Sequence, residues 1–252
     1  MLQEKDVFVL RKPLESGRQS PKALGGILFI FTFFQAGLFA LEYYVAADGT
    51  IHPMKEQILE VHFWITAVLS LSALVFSSPF IYKKAERIQY LVLILISQNT
   101  AGVILPICAL FTMGNERSDA TVASILTATW VVLSAGLLIF VLTAIRFWKK
   151  LKRGDYREGT KADIQREALE YKSFAPMATV AGLGLFFVLQ YTIRMSGWAS
   201  MEDMMLIVIG IGIYFAMMFI LPEQLFILYC KYRFKSFNFS ESGRLKQVEE
   251  IS

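Results

Sequence analysis

Six long apolar runs constrain this chain more than any other feature. A helix that crosses a bilayer needs roughly twenty consecutive, mostly apolar residues. Six segments meet that length: about 23–45, 61–82, 88–113, 120–147, 176–196 and 204–230. The charges gather between them and make up only 18% of the 252 residues, against about a quarter in an ordinary soluble domain. A soluble protein would need helices apolar on every side to produce such runs, and only a few helices of a small domain can be so enclosed. The pattern predicts an all-α integral membrane protein, a six-transmembrane-helix bundle whose exterior contacts the lipid bilayer. The remaining residues suffice for tails and loops but not for a sizeable soluble domain.

The distribution of Lys and Arg orients the bundle. Five precede the first run, three lie in the second connection, nine surround the fourth, and five follow the last run. The other connections carry one each, Lys55, Arg117 and Arg194, which accounts for all 25. Cytoplasmic loops carry the excess of positive charge, so both termini are expected in the cytoplasm. The chain then divides into a cytoplasmic tail (1–22), helices one to four (23–147), a basic cytoplasmic loop with a short helix (148–175), helices five and six (176–230) and a second cytoplasmic tail (231–252). Thr160 or Asp163 is suited to cap the loop helix. The first run is longer than the core of a signal peptide and follows a polar tail, so it reads as a retained helix. Compact outer loops without a glycosylation acceptor point to a bacterial plasma membrane.

Several chemistries find no support. His52, His62, Cys108 and Cys230 do not form a metal-ligand pattern, and the cysteines fall in opposite halves of the bilayer, too far apart for a disulfide. No metal and no cofactor is expected. HExxH, GxSxG and Gly-rich phosphate motifs are missing, so the chain does not read as an enzyme. Lys149, Lys150, Lys152 and Arg153 lie at the inner end of the fourth run, where they anchor topology. No aromatic platform accompanies them, which argues against a nucleic-acid partner.

The polar residues inside the apolar runs carry the functional question. In the sixth run Pro222 precedes Glu223. The proline predicts a kink, because it cannot donate to the carbonyl of Met218. On one reading the helix breaks there, leaving Glu223 near the inner boundary and paired with basic residues. On the other, Glu223 is desolvated and carries a proton or cation. In the third run Gln98, Asn99 and Thr100 cannot all face lipid without cost; they serve either as interhelical hydrogen-bonding groups or as a transport lining. Glu42, His62 and Arg194 form an outer-side charge cluster at similar depth, readable as interface anchors or as a buried, pH-sensitive group. Gln35 and Gln190 are further interior candidates. Paired glycines, Gly182 and Gly184, then Gly210 and Gly212, favour close packing of the fifth and sixth runs.

These features favour a membrane transport component, either a small permease or the permease subunit of a larger transporter. A non-catalytic membrane interaction protein (an assembly, regulatory or toxin-immunity protein) is the alternative. In either case the fourth connection, with Arg157, Arg166, Glu167 and Glu170, is the candidate docking loop for a protein partner.

Overall fold

The computed structural model describes residues 3–116, 118–160, 163–164, 201–240 and 242–247. Five helices among them are long and apolar enough to span a membrane: α1 (Pro21–Ala46), α2 (Lys55–Ser77), α3 (Glu86–Met113), α4 (Val122–Arg153) and α5 (Met201–Arg233). They correspond to the first four apolar runs and the last. The run at 176–196, and with it the count of six, lies outside the described residues. No strand occurs among the described residues, only two isolated bridges. The protein is a helical membrane bundle, with large apolar side chains such as Phe33, Trp64, Leu71, Trp130 and Leu137 facing outward where lipid would lie.

Local chemistry sets the helix ends. Ser20 caps α1 by accepting from the Ala23 N–H, with Pro21 in the first helical position. Thr121 and Ser124 form a capping box at the start of α4. Gly154, at φ 78°, ends α4 in the left-handed region after Lys150, Lys152 and Arg153, which suit the negative end of the helix. Thr160 takes the expected capping role, accepting from the Asp163 N–H at 3.2 Å.

Two expected elements differ. The run at 61–82 is not one helix: α2, extended outward to Lys55 as the helical spacing of Met54, Ile58 and Val61 suggests, stops at Ser77, after which Pro79–Tyr82 forms a separate turn. A residue before proline is pushed out of the helical region, and Ser78 is extended, with ψ 130°. Conversely, α5 does not break at Pro222 but continues to Arg233 with the proline inside it. One missing hydrogen bond bends a membrane helix without ending it when neighbouring helices hold both sides. Here α5 packs along α3 and α4.

The described parts of the two sequence tails are folded. Glu4–Arg11 forms a 3-10 helix followed by one α-helical turn, Lys12–Glu15. Their Val7, Val9, Leu10 and Leu14 join Tyr90, Ile94, Leu151, Tyr156, Ile227, Phe237 and Phe239 in one apolar cluster. N-terminal segment, fourth connection and C-terminal segment therefore form a cap on one end of the bundle, the basic end. The Arg11 guanidinium donates to the carbonyls of Ser236 (3.1 Å) and Lys246 (2.7 Å). Lys231, 1% exposed, donates to the Phe237 carbonyl and lies 3.9 Å from Glu86. The described parts of the N- and C-terminal segments thus meet at one face. At the opposite end the first and third connections are tied: Ile51 donates to Gly114 at 2.7 Å, and Glu116 to Gly49 at 2.7 Å.

Candidate functional site

The interior of the bundle holds a chain of polar side chains from three helices. α1 contributes Gln35 and Glu42, α2 contributes His62, Thr66 and Ser70, and α3 contributes Asn99 and Thr100. Their spacing brings them inward: residues 62, 66 and 70 recur every four positions, one stripe of a helix. On α1 the same face carries Gln35, Phe39 and Glu42, and the Phe39 ring meets the His62 ring edge-on at 5.4 Å.

His62 Nδ1 lies 2.8 Å from Glu42 Oε1, and its Nε2 lies 3.1 Å from Asn99 Oδ1. The Asn99 amide nitrogen donates to Thr66 Oγ1 at 3.1 Å and to Gln35 Oε1 at 3.4 Å, and Gln35 Nε2 donates to Ser70 Oγ at 2.6 Å. Glu42 and Gln35 are 0% exposed, and His62 and Asn99 each 3%.

Two π-helical segments shape this region. One spans Glu42–Ala46, where the Ala47 N–H reaches five residues back to the Glu42 carbonyl at 2.8 Å. The other, Gln98–Ile104, contains Asn99 and Thr100 and precedes Pro106. A proline ring clashes with the carbonyl four residues earlier, here that of Gly102, and a wider turn relieves that contact. Such π-turns are rare and recur at functional sites.

The hydrogen-bond directions shown suit one arrangement of protons. Asn99 commits its amide nitrogen to two acceptors, so its oxygen faces His62 and Nε2 must carry a hydrogen. The link between Nδ1 and Glu42 then needs one more proton, held either by the carboxyl group or by the ring. Removing it sets an imidazole lone pair against a carboxylate oxygen at 2.8 Å. Moving the remaining ring proton to Nδ1 instead sets a lone pair against Asn99 Oδ1, unless Asn99 and Gln35 both flip and the Thr66 and Ser70 hydroxyls turn to donate. In the orientation shown, the link between α1, α2 and α3 therefore holds one proton.

A cavity of about 980 Å³ lies beside the site at the end opposite the basic cap, lined among the described residues by Leu38, Leu41, Val45, Asp48, Cys108 and Asn115, among others. Cys108 on its wall lies within electrostatic range of Glu42. The second carboxylate oxygen, Glu42 Oε2, is buried and accepts no hydrogen bond among the described residues.

The structure thus joins Glu42 and His62 as a buried pair rather than as interface anchors, and adds Asn99 from the third run. Arg194 and Gln190 lie outside the described residues. Gln98 donates to Gln224 of α5 at 3.4 Å, and Thr100 is buried with its hydroxyl unpartnered among the described residues. Glu223 is half-buried and sits about 15 Å of helix before Arg233, on a helix that continues past Pro222. In the docking loop, Arg157 pairs with Asp6 at 2.7 Å, within the chain's own cap, while Arg166, Glu167 and Glu170 lie outside the described residues. Thr66 and Ser70 were not singled out from the sequence, although their spacing from His62 carries the signal. The described metal-capable residues form no group of three. Both cysteines are buried and free.

Gly210 packs on α3, where an added Cβ would lie 2.7 Å from the Leu105 carbonyl oxygen, while at Gly212 it would meet open space. No protein-family description, curated protein or solved structure matches this chain.

Proposed function

We propose that this protein is a membrane transport component, a small permease or the permease subunit of a larger transporter, whose transport step carries a proton at Glu42 and His62. The single observation behind this reading is the fully buried Glu42–His62–Asn99 link, which in this hydrogen-bond orientation holds a proton between three helices. Ionisable residues inside a membrane bundle are costly and mark ion or proton paths. A purely structural fastening would be served by neutral amides and hydroxyls, as in the Gln35–Ser70 contact of the same network. The neighbouring cavity, walled by Leu38 and Leu41 of α1 and Cys108 of α3, favours access from the end opposite the cap, and in the orientation shown loss of the proton disturbs contacts between three helices. Those are the two requirements for coupling protonation to a change of access. Charge bias places the basic cap in the cytoplasm and the cavity on the outside of a cell membrane.

Reconstitution tests this reading. Protein in liposomes loaded with a pH-sensitive dye should move protons under an imposed potential faster than protein-free liposomes, and Glu42→Gln should abolish the difference. Wild-type flux no faster than that of empty liposomes would reject the proposal.

A further inference from the structure

At the basic end of the bundle a pocket of about 380 Å³ opens between the start of α1, the turn that joins α2 to α3, and the C-terminal segment. Among the described residues its lining includes Ser20, Lys22, Tyr82, Lys83, Glu86 and Ser242. Its volume falls within the roughly 300–1,000 Å³ of small-ligand sites. Both lysines are exposed, and neither side chain has a hydrogen bond or ion pair among the described residues. Glu86, in contrast, is committed: its carboxylate accepts from the Phe239 N–H at 3.0 Å and lies 3.9 Å from the buried Lys231. Its charge is thus met within the cap, and the pocket keeps a net positive charge. The Ser20 hydroxyl accepts from the Ala23 N–H at 3.3 Å, which leaves its own hydrogen to donate.

We infer that this pocket holds the phosphate group of an anionic phospholipid, with Lys22 and Lys83 as its counter-charges and Ser20 as a hydroxyl donor; the inference does not depend on the proton-linked reading. An ammonium on a flexible stem is a point charge suited to phosphate. The committed state of Glu86 leaves no carboxylate in the described lining to pair with the ammonium of a zwitterionic headgroup, so the pocket selects net negative charge. Its position favours a lipid over free phosphate. The Tyr82 ring is 8% exposed and packs against α1, where a Cβ on Gly25 would lie 3.0 Å from it, whereas Phe80 of the same turn is 87% exposed. A bare apolar ring directly after a spanning helix belongs in lipid, which places the turn at the bilayer boundary. About one to two turns further along α1, the exposed Ile27, Phe29 and Ile30 offer the acyl chains an apolar surface. Because the pocket walls come from α1, the turn and the C-terminal segment, a bound headgroup fastens the cap to the bundle.

Thermal unfolding of the full-length protein in a neutral detergent tests this, since a ligand of the native state raises the midpoint as its concentration rises. Phosphatidylglycerol should raise the midpoint saturably, and phosphatidylcholine or inorganic phosphate at matched concentrations should not. Lys22→Gln combined with Lys83→Gln should weaken the apparent affinity for phosphatidylglycerol by about tenfold or more. Ser242→Trp, which fills the pocket without altering its charge, should do the same. Lys149→Gln combined with Lys152→Gln, at the same end of the bundle but outside the pocket, should respond like wild type. If that control pair loses as much affinity as the pocket pair, or if Ser242→Trp responds like wild type, the effect is a general attraction to a basic surface and the pocket is not a site. An equal rise with inorganic phosphate or with phosphatidylcholine would overturn the assignment to an anionic lipid. The inference also falls if phosphatidylglycerol gives no saturable rise. Gel filtration checks the folding of each variant, and where Ser242→Trp does not give a single peak, the two lysine pairs decide the question.

Discussion

Asn99 presents its carbonyl oxygen to His62 Nε2 at 3.1 Å because its amide nitrogen is already held by Thr66 and Gln35. This one orientation sets the histidine tautomer and turns the His62–Glu42 contact into a proton-binding link. An amide is suited to the role: it offers donor and acceptor at once without adding charge to the interior.

Replacing Asn99 with Leu should therefore do more than remove two contacts. It leaves the Nε2–H of His62 and the oxygens of Thr66 and Gln35 unpaired in a buried site, and each unsatisfied group costs about 1–3 kcal/mol. We expect a lower midpoint of thermal unfolding in detergent together with loss of the proton taken up by the link. An unchanged midpoint would show that the site accommodates the loss and that the network is not a constraint on the bundle.

Gly210 and Gly212 offer a matched pair on α5. Gly210→Ala places its methyl group 2.7 Å from the Leu105 carbonyl oxygen and 3.0 Å from Ala109 Cβ, so α5 must move away from α3. Overpacking of this kind costs about 1–3 kcal/mol. Gly212→Ala meets nothing within 4 Å and gains helix propensity of roughly 1 kcal/mol. The two variants should shift the unfolding midpoint in opposite directions. Equal shifts would contradict the close approach of α5 to α3.

The bundle was legible from sequence because a bilayer imposes a length on every crossing, and apolar runs of that length cannot hide. Glu42 and His62 were legible as a cluster for the same reason, since charge inside such runs stands out. The cap was not. Val7, Val9 and Leu10 lie in a segment whose charges mark it as a tail, and they find a core only by meeting Phe237 and Phe239 from the far end of the chain. No local periodicity records so distant a contact. The continuity of α5 was missed at Pro222, because proline strongly biases a sequence reading toward a break, whereas packing along α3 and α4 carries the helix past it.

The cap should loosen in acid. The Gln3 backbone N–H donates to Asp6 at 3.0 Å, and Arg157 pairs with it from the fourth connection. That hydrogen bond, then Arg157, holds the Asp6 carboxyl below its ordinary value of 3.8 despite an opposing effect of burial. A carboxyl group with a depressed folded value stabilises the fold above its unfolded value, and the contribution is lost as pH falls through the folded one. The contribution is small, since the Arg157 side chain is 55% exposed and such pairs give roughly 0–1 kcal/mol. Hydrogen exchange over residues 4–11 should quicken at neutral pH in Asp6→Asn, and in wild type only below about pH 4. No difference between the two proteins would show that the Asp6 contacts do not fasten the cap.

The opposite end should respond to acid as well, at a higher pH. His52 is 4% exposed, with its Nδ1 accepting from the Met54 N–H at 3.2 Å and its Nε2 3.4 Å from Thr129 Oγ1. This geometry requires a neutral ring protonated at Nε2, and burial holds the imidazole below its ordinary value of 6.5. Protonation would set an Nδ1–H against the Met54 N–H. The stabilising contribution is therefore complete above pH 6.5 and is lost as pH falls through the lower folded value. The first and third connections, joined next to His52 by the Ile51–Gly114 and Glu116–Gly49 bonds, should open with it. Exchange of the Ile51 and Glu116 amides should accelerate below that pH in wild type, and the pH dependence should vanish in His52→Phe, which keeps an aromatic ring against Phe111. Persistence of the same pH dependence in His52→Phe would assign the response to another group.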